Sequence, residues 1–206
     1  DEQGLKLPPK LAPYQVVIVP IWREESQKGE VLEAVERVRA ELAGRFRVKV
    51  DAREEFKPGW KFNEWELRGV PLRIEIGPRD VAQQSVALAR RDMAGKAGKA
   101  PASMAGLADT VGKLLDTIQA GMLAHAAAFM EANTHEARTY DELKEIVADG
   151  WAKAYWCGDE ACEAKIKEET KASSRNIPLD QGDGGPGRCV VCGQPAEEWA
   201  YWARAY

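Results

Sequence analysis

Nowhere does this 206-residue chain hold an apolar run long enough to cross a bilayer, and its opening residues, DEQGLKLPPKLAP, have neither the basic end nor the apolar core of a signal peptide. The expectation is a soluble, cytoplasmic protein. Histidine is nearly missing. His125 and His135 both read as structural or solvated. Repeats at solenoid periods are absent as well. Net charge is small, and −4 argues against a nonspecific nucleic-acid coat. Yet from Lys57 to Lys99 nine basic residues stand against five acidic ones, a basic middle in an acidic chain. Solvated surface is the ordinary reading of such charges. An initiator methionine is lacking too, and GLKLPPKLAP reads as an extended, Pro-rich lead-in. That start points to a chain cut from something longer.

What is present, 45% hydrophobic and 30% charged residues, suffices for one sizeable core or two smaller ones, and two domains are expected. YQVVIVPIW, Tyr14 to Trp22, is a short Val/Ile-rich run of the kind that forms a strand covered by helices on both faces. After a loop over Ser26 to Gly29, Val31, Leu32, Val35, Val38 and Leu42 repeat at helical spacing, with Gly44 as the stop. FRVKV is a second short strand.

PGWKFNEWELRG, between Pro58-Gly59 and Gly69, lacks strict alternation and reads as a short helix. Phe62 and Glu66 then lie one turn apart on one face, while Trp65 shares an adjoining face with Lys61 and Arg68. Trp60 and Trp65 read as packing residues that dock the helix. VPLRIEIG follows as a strand with Leu72, Ile74 and Ile76 pointing one way and Arg73 and Glu75 the other. A GPRD turn leads to the strand SVALARR. A Gly/Lys/Ala-rich loop then precedes a long helix from about Ser103 to Asn133, with Leu107, Val111, Leu114, Leu115, Ile118, Met122 and Leu123 as its buried stripe. The order βαβαββα defines an α/β domain. A second unit opens at TYDELKEIVADG, where Thr139 and Glu142 have capping-box spacing and Gly150 ends the helix.

All four cysteines fall in this second unit: Cys157 and Cys162 in CGDEAC, Cys189 and Cys192 in CVVCG. Two close pairs across a longer loop are the pattern of a four-thiolate zinc site, in which each pair forms a tight knuckle. Free buried thiols or two disulfides are the other readings, and an intracellular chain disfavours disulfides. Four thiolates leave no open coordination position, so a structural zinc is expected rather than a catalytic one. The loop between the pairs is too polar and Gly-rich to supply much core, and the metal would hold the module together.

LAPYQVVIVPI, KFNEWELRGVPLRIEIGPRD, ALARRD, the cysteine unit with IKEETKASSRNIP and the terminal WARAY together resemble the C-terminal half of prolyl-tRNA synthetases of the archaeal and eukaryotic type. The resemblance runs over nearly the whole chain. It implies a class II synthetase anticodon-binding domain, a mixed sheet flanked by helices, followed by a small α+β zinc-binding domain. Residues 1–12 would be the linker from a missing catalytic domain, 13–134 the anticodon domain and 135–206 the zinc domain. It implies proline-tRNA ligase activity for the full-length enzyme, with ATP and Mg and a homodimer at that level, and no catalytic residue in this chain. Its partners would be tRNA(Pro) and the catalytic domain of the same polypeptide.

Proline anticodons carry guanines at the second and third positions, and splayed bases are read by stacking and by hydrogen bonds to their edges. The resemblance then casts Phe62 as a stacking residue and Glu66 as acceptor from a guanine's N1 and N2 hydrogens. Arg73, Arg91 and Lys96 would bond base carbonyls or phosphates, and Lys61 joins the anticodon set. Lys57, Arg79 and Lys99 improve the field for phosphate. The Ala/Gly-rich segment around Lys96 departs from the family pattern. Trp199 and Trp202 are expected to pack on the zinc module, and the Tyr206 carboxylate to point toward the full enzyme's active site. The other readings are a stand-alone zinc-containing RNA-binding accessory protein and the anticodon domain of a synthetase for threonine, glycine or histidine.

Overall fold

The computed structural model describes residues 1–93, 95–181 and 185–205, and the chain divides into two units, Asp1–Ala124 and His125–Tyr206. No helix among the described residues is long and apolar enough to cross a membrane.

The first unit is a five-stranded mixed sheet in the order β2-β1-β3-β4-β5. Strands β1 (Val16–Pro20), β2 (Val48–Val50) and β3 (Leu72–Ile76) run parallel, while β4 (Ser85–Arg90) and β5 (Lys99–Ser103) continue it antiparallel. Helices cover both faces, as the continuous apolar β1 requires. Val16 and Ile18 join Leu72, Ile74 and Ile76 beneath α1 (Glu25–Ala43) and α4 (Leu107–Ala132), whose Val31, Val35, Leu42, Val111 and Ile118 complete the larger core. Val17 and Val19 face the other way, against Trp65 of α2 (Pro58–Leu67), with Val70 and part of Phe62. Arg73 and Glu75 share that second face with α2, because β3 alternates in step with β1.

Several local expectations change. Ser26 to Gly29 belongs to α1, since Gln27 Oε1 accepts from the backbone N–H groups of Arg23 and Glu24 and starts the helix one turn early. The GPRD turn is the start of a five-residue helix, α3 (Pro78–Ala82), closed by Gly77 N–H donating to Asp80 Oδ2 at 2.8 Å. KAPAS is not loop but the edge strand β5, where Pro101 is tolerated because the missing N–H falls on an unpaired side. The long helix starts at Leu107 rather than Ser103, and Leu123 is 70% exposed rather than part of its buried stripe. The lead-in, residues 1–12, lies on the first unit: Leu5 N–H bonds Leu67 O at 3.0 Å, and the Arg47 guanidinium holds the carbonyls of Pro9, Lys10 and Ala12.

The second unit has a four-stranded sheet in the order β6-β7-β11-β8, built from β6 (Thr134–Glu136), β7 (Trp151–Trp156), β8 (Ala172–Asn176) and β11 (Glu198–Arg204). A small ribbon, β9 (Gly187–Arg188) with β10 (Pro195–Ala196), carries the second cysteine pair. Helix α5 (Tyr140–Ile146) begins with the expected capping box: Thr139 Oγ1 accepts from Glu142 N–H, and the Glu142 carboxylate accepts from Thr139 N–H, both at 3.2 Å. It ends at Ile146, four residues before Gly150. Helix α6 (Glu160–Thr170) and β8 lie in the loop read as too polar for core, yet they contribute Ile166 and Ala172 to it. Trp202 is fully buried and Trp199 nearly so. Both histidines are exposed.

Candidate functional site

Helix α2 is fixed to the sheet by a buried carboxylate. Asp51, just past β2, is 2% exposed; its Oδ2 accepts from the Trp65 indole Nε1–H at 2.8 Å, and both its oxygens accept from Arg53 at 2.8 Å. Lys61 Nζ donates to the Asp51 carbonyl at 3.2 Å. Burial pushes the Asp51 carboxyl up, but the Arg53 guanidinium and the Trp65 N–H outweigh it and hold it at about 2. Burial also lowers the pKa of Lys61, against the pull of Asp51.

With α2 so held, its Phe62 and Glu66 meet the polar residues of β3. The Arg73 guanidinium lies 4.1 Å from the Phe62 ring centroid, and its Nη1 donates to Glu66 Oε1 at 2.7 Å. Arg73 Nε donates to Glu75 Oε1 at 3.1 Å, and Lys99 Nζ donates to Glu75 Oε2 at 2.7 Å while standing 5.6 Å from the Phe62 ring. Phe62, Glu66, Arg73, Glu75 and Lys99 thus form one cluster. It brings together an aromatic ring, a carboxylate with unused acceptor capacity and two cations, groups able to stack on a flat ring and to bond its polar edge.

Glu75 was not read as part of a site, and Lys99 only as a charge that improves the field for phosphate. The signal lies in register, for Arg73 stands opposite Ala89 and Ala89 opposite Lys99, so the small Ala89 lets two cations reach one ring across three strands. That row is invisible without β5. The other expected residues are placed differently. Lys61 is buried against Asp51. Arg91 is buried behind α2, donating to Glu66 O at 2.9 Å and to the Asp1 carboxylate. Lys96 is exposed on the short turn Gly95–Gly98 and bonds none of the cluster. Trp65 docks the helix at 4% exposure, but Trp60 does not; it is 46% exposed. Five residues apart on a helix means about 140° apart around it, so the two indoles cannot both face the sheet.

In the second unit the four cysteine sulfurs lie within 4.8 Å of one another. Cys157 is 3.7 Å from both Cys162 and Cys192, and all four are free thiols. A tetrahedral ion with metal–sulfur bonds near 2.3 Å places its sulfurs about 3.8 Å apart; the two 3.7 Å separations already match that spacing, and the whole set, within 4.8 Å, needs only a small contraction to close on such an ion. A glycine in the left-handed region follows Cys157 and another follows Cys192, Gly158 at φ 81° and Gly193 at φ 73°, where any other residue would be strained. Burial pushes the Cys162 thiol up; at Cys189 burial is overcome by hydrogen bonds from the backbone N–H groups of Cys192, Cys157 and Val191, which bring it down to about 7. The expectation for Tyr206 lies outside the described residues.

Residues 15–113 match the family described as anticodon binding domain, and residues 140–206 the family described as prolyl-tRNA synthetase, C-terminal. Fold and site therefore define a class II aminoacyl-tRNA synthetase anticodon-binding domain joined to a four-cysteine domain. The proline--tRNA ligase of Chloroflexus aggregans is 53% identical over the whole chain, that of a Roseiflexus strain 48%, and the chloroplastic/mitochondrial proline--tRNA ligase of Arabidopsis thaliana 46%. The chain belongs to the prolyl-tRNA synthetase family, as its C-terminal part. It spans 43% of the length of the two bacterial relatives and 39% of the plant one.

Proposed function

We propose that this chain reads the anticodon of tRNA(Pro) on behalf of a proline-tRNA ligase of the cytoplasm, which attaches proline to its tRNA with ATP, and that it holds one structural zinc. Residues 13–134 act as the anticodon domain and 135–206 as the zinc domain, after a linker over 1–12. The observation that supports this reading is the meeting of Phe62, Glu66 and Arg73 within the span that matches an anticodon-binding family.

Glu66 accepts from guanine N1–H and N2–H, a donor pair no other base presents at that edge. Its Oε1 already bonds Arg73, which orients the carboxylate, and the remaining lone pairs are open to the base. Arg73, held over Phe62, supplies charge beside the base carbonyl or phosphate. Zinc bound by Cys157, Cys162, Cys189 and Cys192 would cross-link the end of β7, the start of α6 and the β9–β10 ribbon.

Binding of transcribed tRNA(Pro) with each anticodon guanine replaced in turn tests the reading. Replacement is expected to weaken binding, and Glu66→Gln to lose about 1.5–3 kcal/mol together with most of the discrimination at one guanine. Phe62→Ala should cost about 1–3 kcal/mol. Equal binding of all the tRNAs would refute anticodon reading by this chain.

A further inference from the structure

Trp60 is the aromatic of α2 that the fold does not use. The helix is docked by Trp65 and Lys61, whereas Trp60 stacks face to face on Phe56, with ring centroids 3.8 Å apart and planes 10° from parallel. Neither ring belongs to a core cluster. The Arg53 guanidinium, fixed in turn by Asp51 and Glu64, lies 4.9 Å from the Phe56 centroid and 5.4 Å from that of Trp60. An indole left half in water is thus backed by a second ring and braced by a cation that cannot swing away. Such a plate has little conformational freedom left to lose on binding.

The outer side of this plate borders a groove of about 430 Å³ lined by Trp60, Asn63, Glu64, Glu66, Leu67 and Gln3. Trp60, Asn63 and Leu67 lie along one outward row of the helix, and Asn63 is one turn back from Glu66. The groove is therefore continuous with the carboxylate assigned to the guanine. Asn63 is exposed and its side-chain amide bonds no described residue. The Glu64 carboxylate is neutralised by Arg53 and Arg68, so the groove floor does not repel a polyanion. Lys57 stands exposed at the start of the helix.

We infer that Trp60 and Asn63 form a second base site on α2, taking the nucleotide next to the guanine at Glu66, its ring stacked on Trp60 and its edge bonded to the Asn63 amide. The inference rests on the reading of α2 as the anticodon-facing helix. Stacking accepts any base, so this site adds affinity and holds the strand in register, while Glu66 supplies discrimination.

The test uses the whole chain and tRNA(Pro) anticodon stem-loops carrying 2-aminopurine at either nucleotide flanking the guanine, with the guanine-replaced forms beside them. Binding should quench the probe at one flanking position. Trp60→Ala should weaken binding about tenfold or more, abolish that quenching and leave the discrimination ratio between guanine and its replacements unchanged. Trp60→Phe should restore most of the affinity, and Asn63→Ala should give a smaller loss. Wild-type affinity in Trp60→Ala, or no quenching at either position while guanine discrimination is intact, overturns the second site alone. Absence of guanine discrimination in the unaltered chain overturns the reading of α2, and this inference with it.

Discussion

Treating the chain with a strong chelator is expected to unfold the second unit, His125–Tyr206, while the sheet of the first unit persists. The core of the second unit is made largely of small residues. Ala137, Ala152, Ala154, Ala172 and Ala200 fill it beside Leu143, Val147, Ile166 and Trp202. Alanines bury little apolar area, and a core so composed yields little of the free energy that ordering the backbone costs. A four-thiolate zinc contributes about 10–16 kcal/mol of apparent binding energy at neutral pH in small domains, and that energy is available only to the folded state. Metal loss should therefore exceed any single side-chain deletion in effect. Native mass spectrometry should show one zinc per chain before chelation. The near-ultraviolet circular dichroism of Trp156 and Trp202, whose rings meet edge to face at 5.7 Å, should collapse afterwards. Cys189→Ser should behave like partial chelation. A second unit that keeps its hydrogen-exchange protection without metal, or freshly prepared protein without zinc, would show that the thiols do not serve this purpose.

Asp51→Ala should lower the stability of the first unit by about 3–5 kcal/mol, because it leaves Arg53 with Glu64 alone, the Trp65 indole N–H without an acceptor and buried Lys61 without its main countercharge. Urea denaturation followed by tryptophan fluorescence measures it as a lower midpoint at unchanged slope. The same residue carries a pH dependence. Its folded pKa of about 2 lies below its ordinary value of 3.8, so the stability it contributes is present above about pH 4 and is lost as pH falls toward 2. The interval corresponds to about 2 kcal/mol. In Asp51→Asn this segment of the acid-stability profile should flatten. A profile identical to that of the unaltered chain would mean that other carboxylates govern acid unfolding. Loss of Asp51 should also weaken RNA binding, since α2 carries Phe62 and Glu66 on a base that Asp51 pins.

Legibility differed from one element to the next, and the differences have physical causes. β1 and α1 were readable because burial on both faces, or on one helical stripe, leaves a mark in apolar spacing alone. β7 was not, although WAKAYW does alternate. Its core-facing positions are Ala152 and Ala154, while Trp151, Lys153 and Tyr155 lie on the other face, so side-chain size runs against the usual pattern. β5 was missed because an edge strand with Pro101 and few apolar residues is defined by its ladder to β4 and by little of its own. Leu123 joined the predicted stripe of α4 because periodicity continues past the point where a neighbouring surface ends.

Local spacing determined what depends on near neighbours: the pairing of Phe62 with Glu66 on one turn, the capping box at Thr139, and two cysteine knuckles with a glycine after Cys157 and after Cys192. Contacts between strands and helices decided the rest. They brought Arg73 and Lys99 to the ring of Phe62, sank Lys61 and Arg91, sent Trp65 inward and left Trp60 facing water. A helix repeats its own geometry at every turn, but which turn meets the sheet depends on Asp51, which lies outside the helix, eleven residues before Phe62 and fifteen before Glu66. The spacing within the helix does not contain that choice.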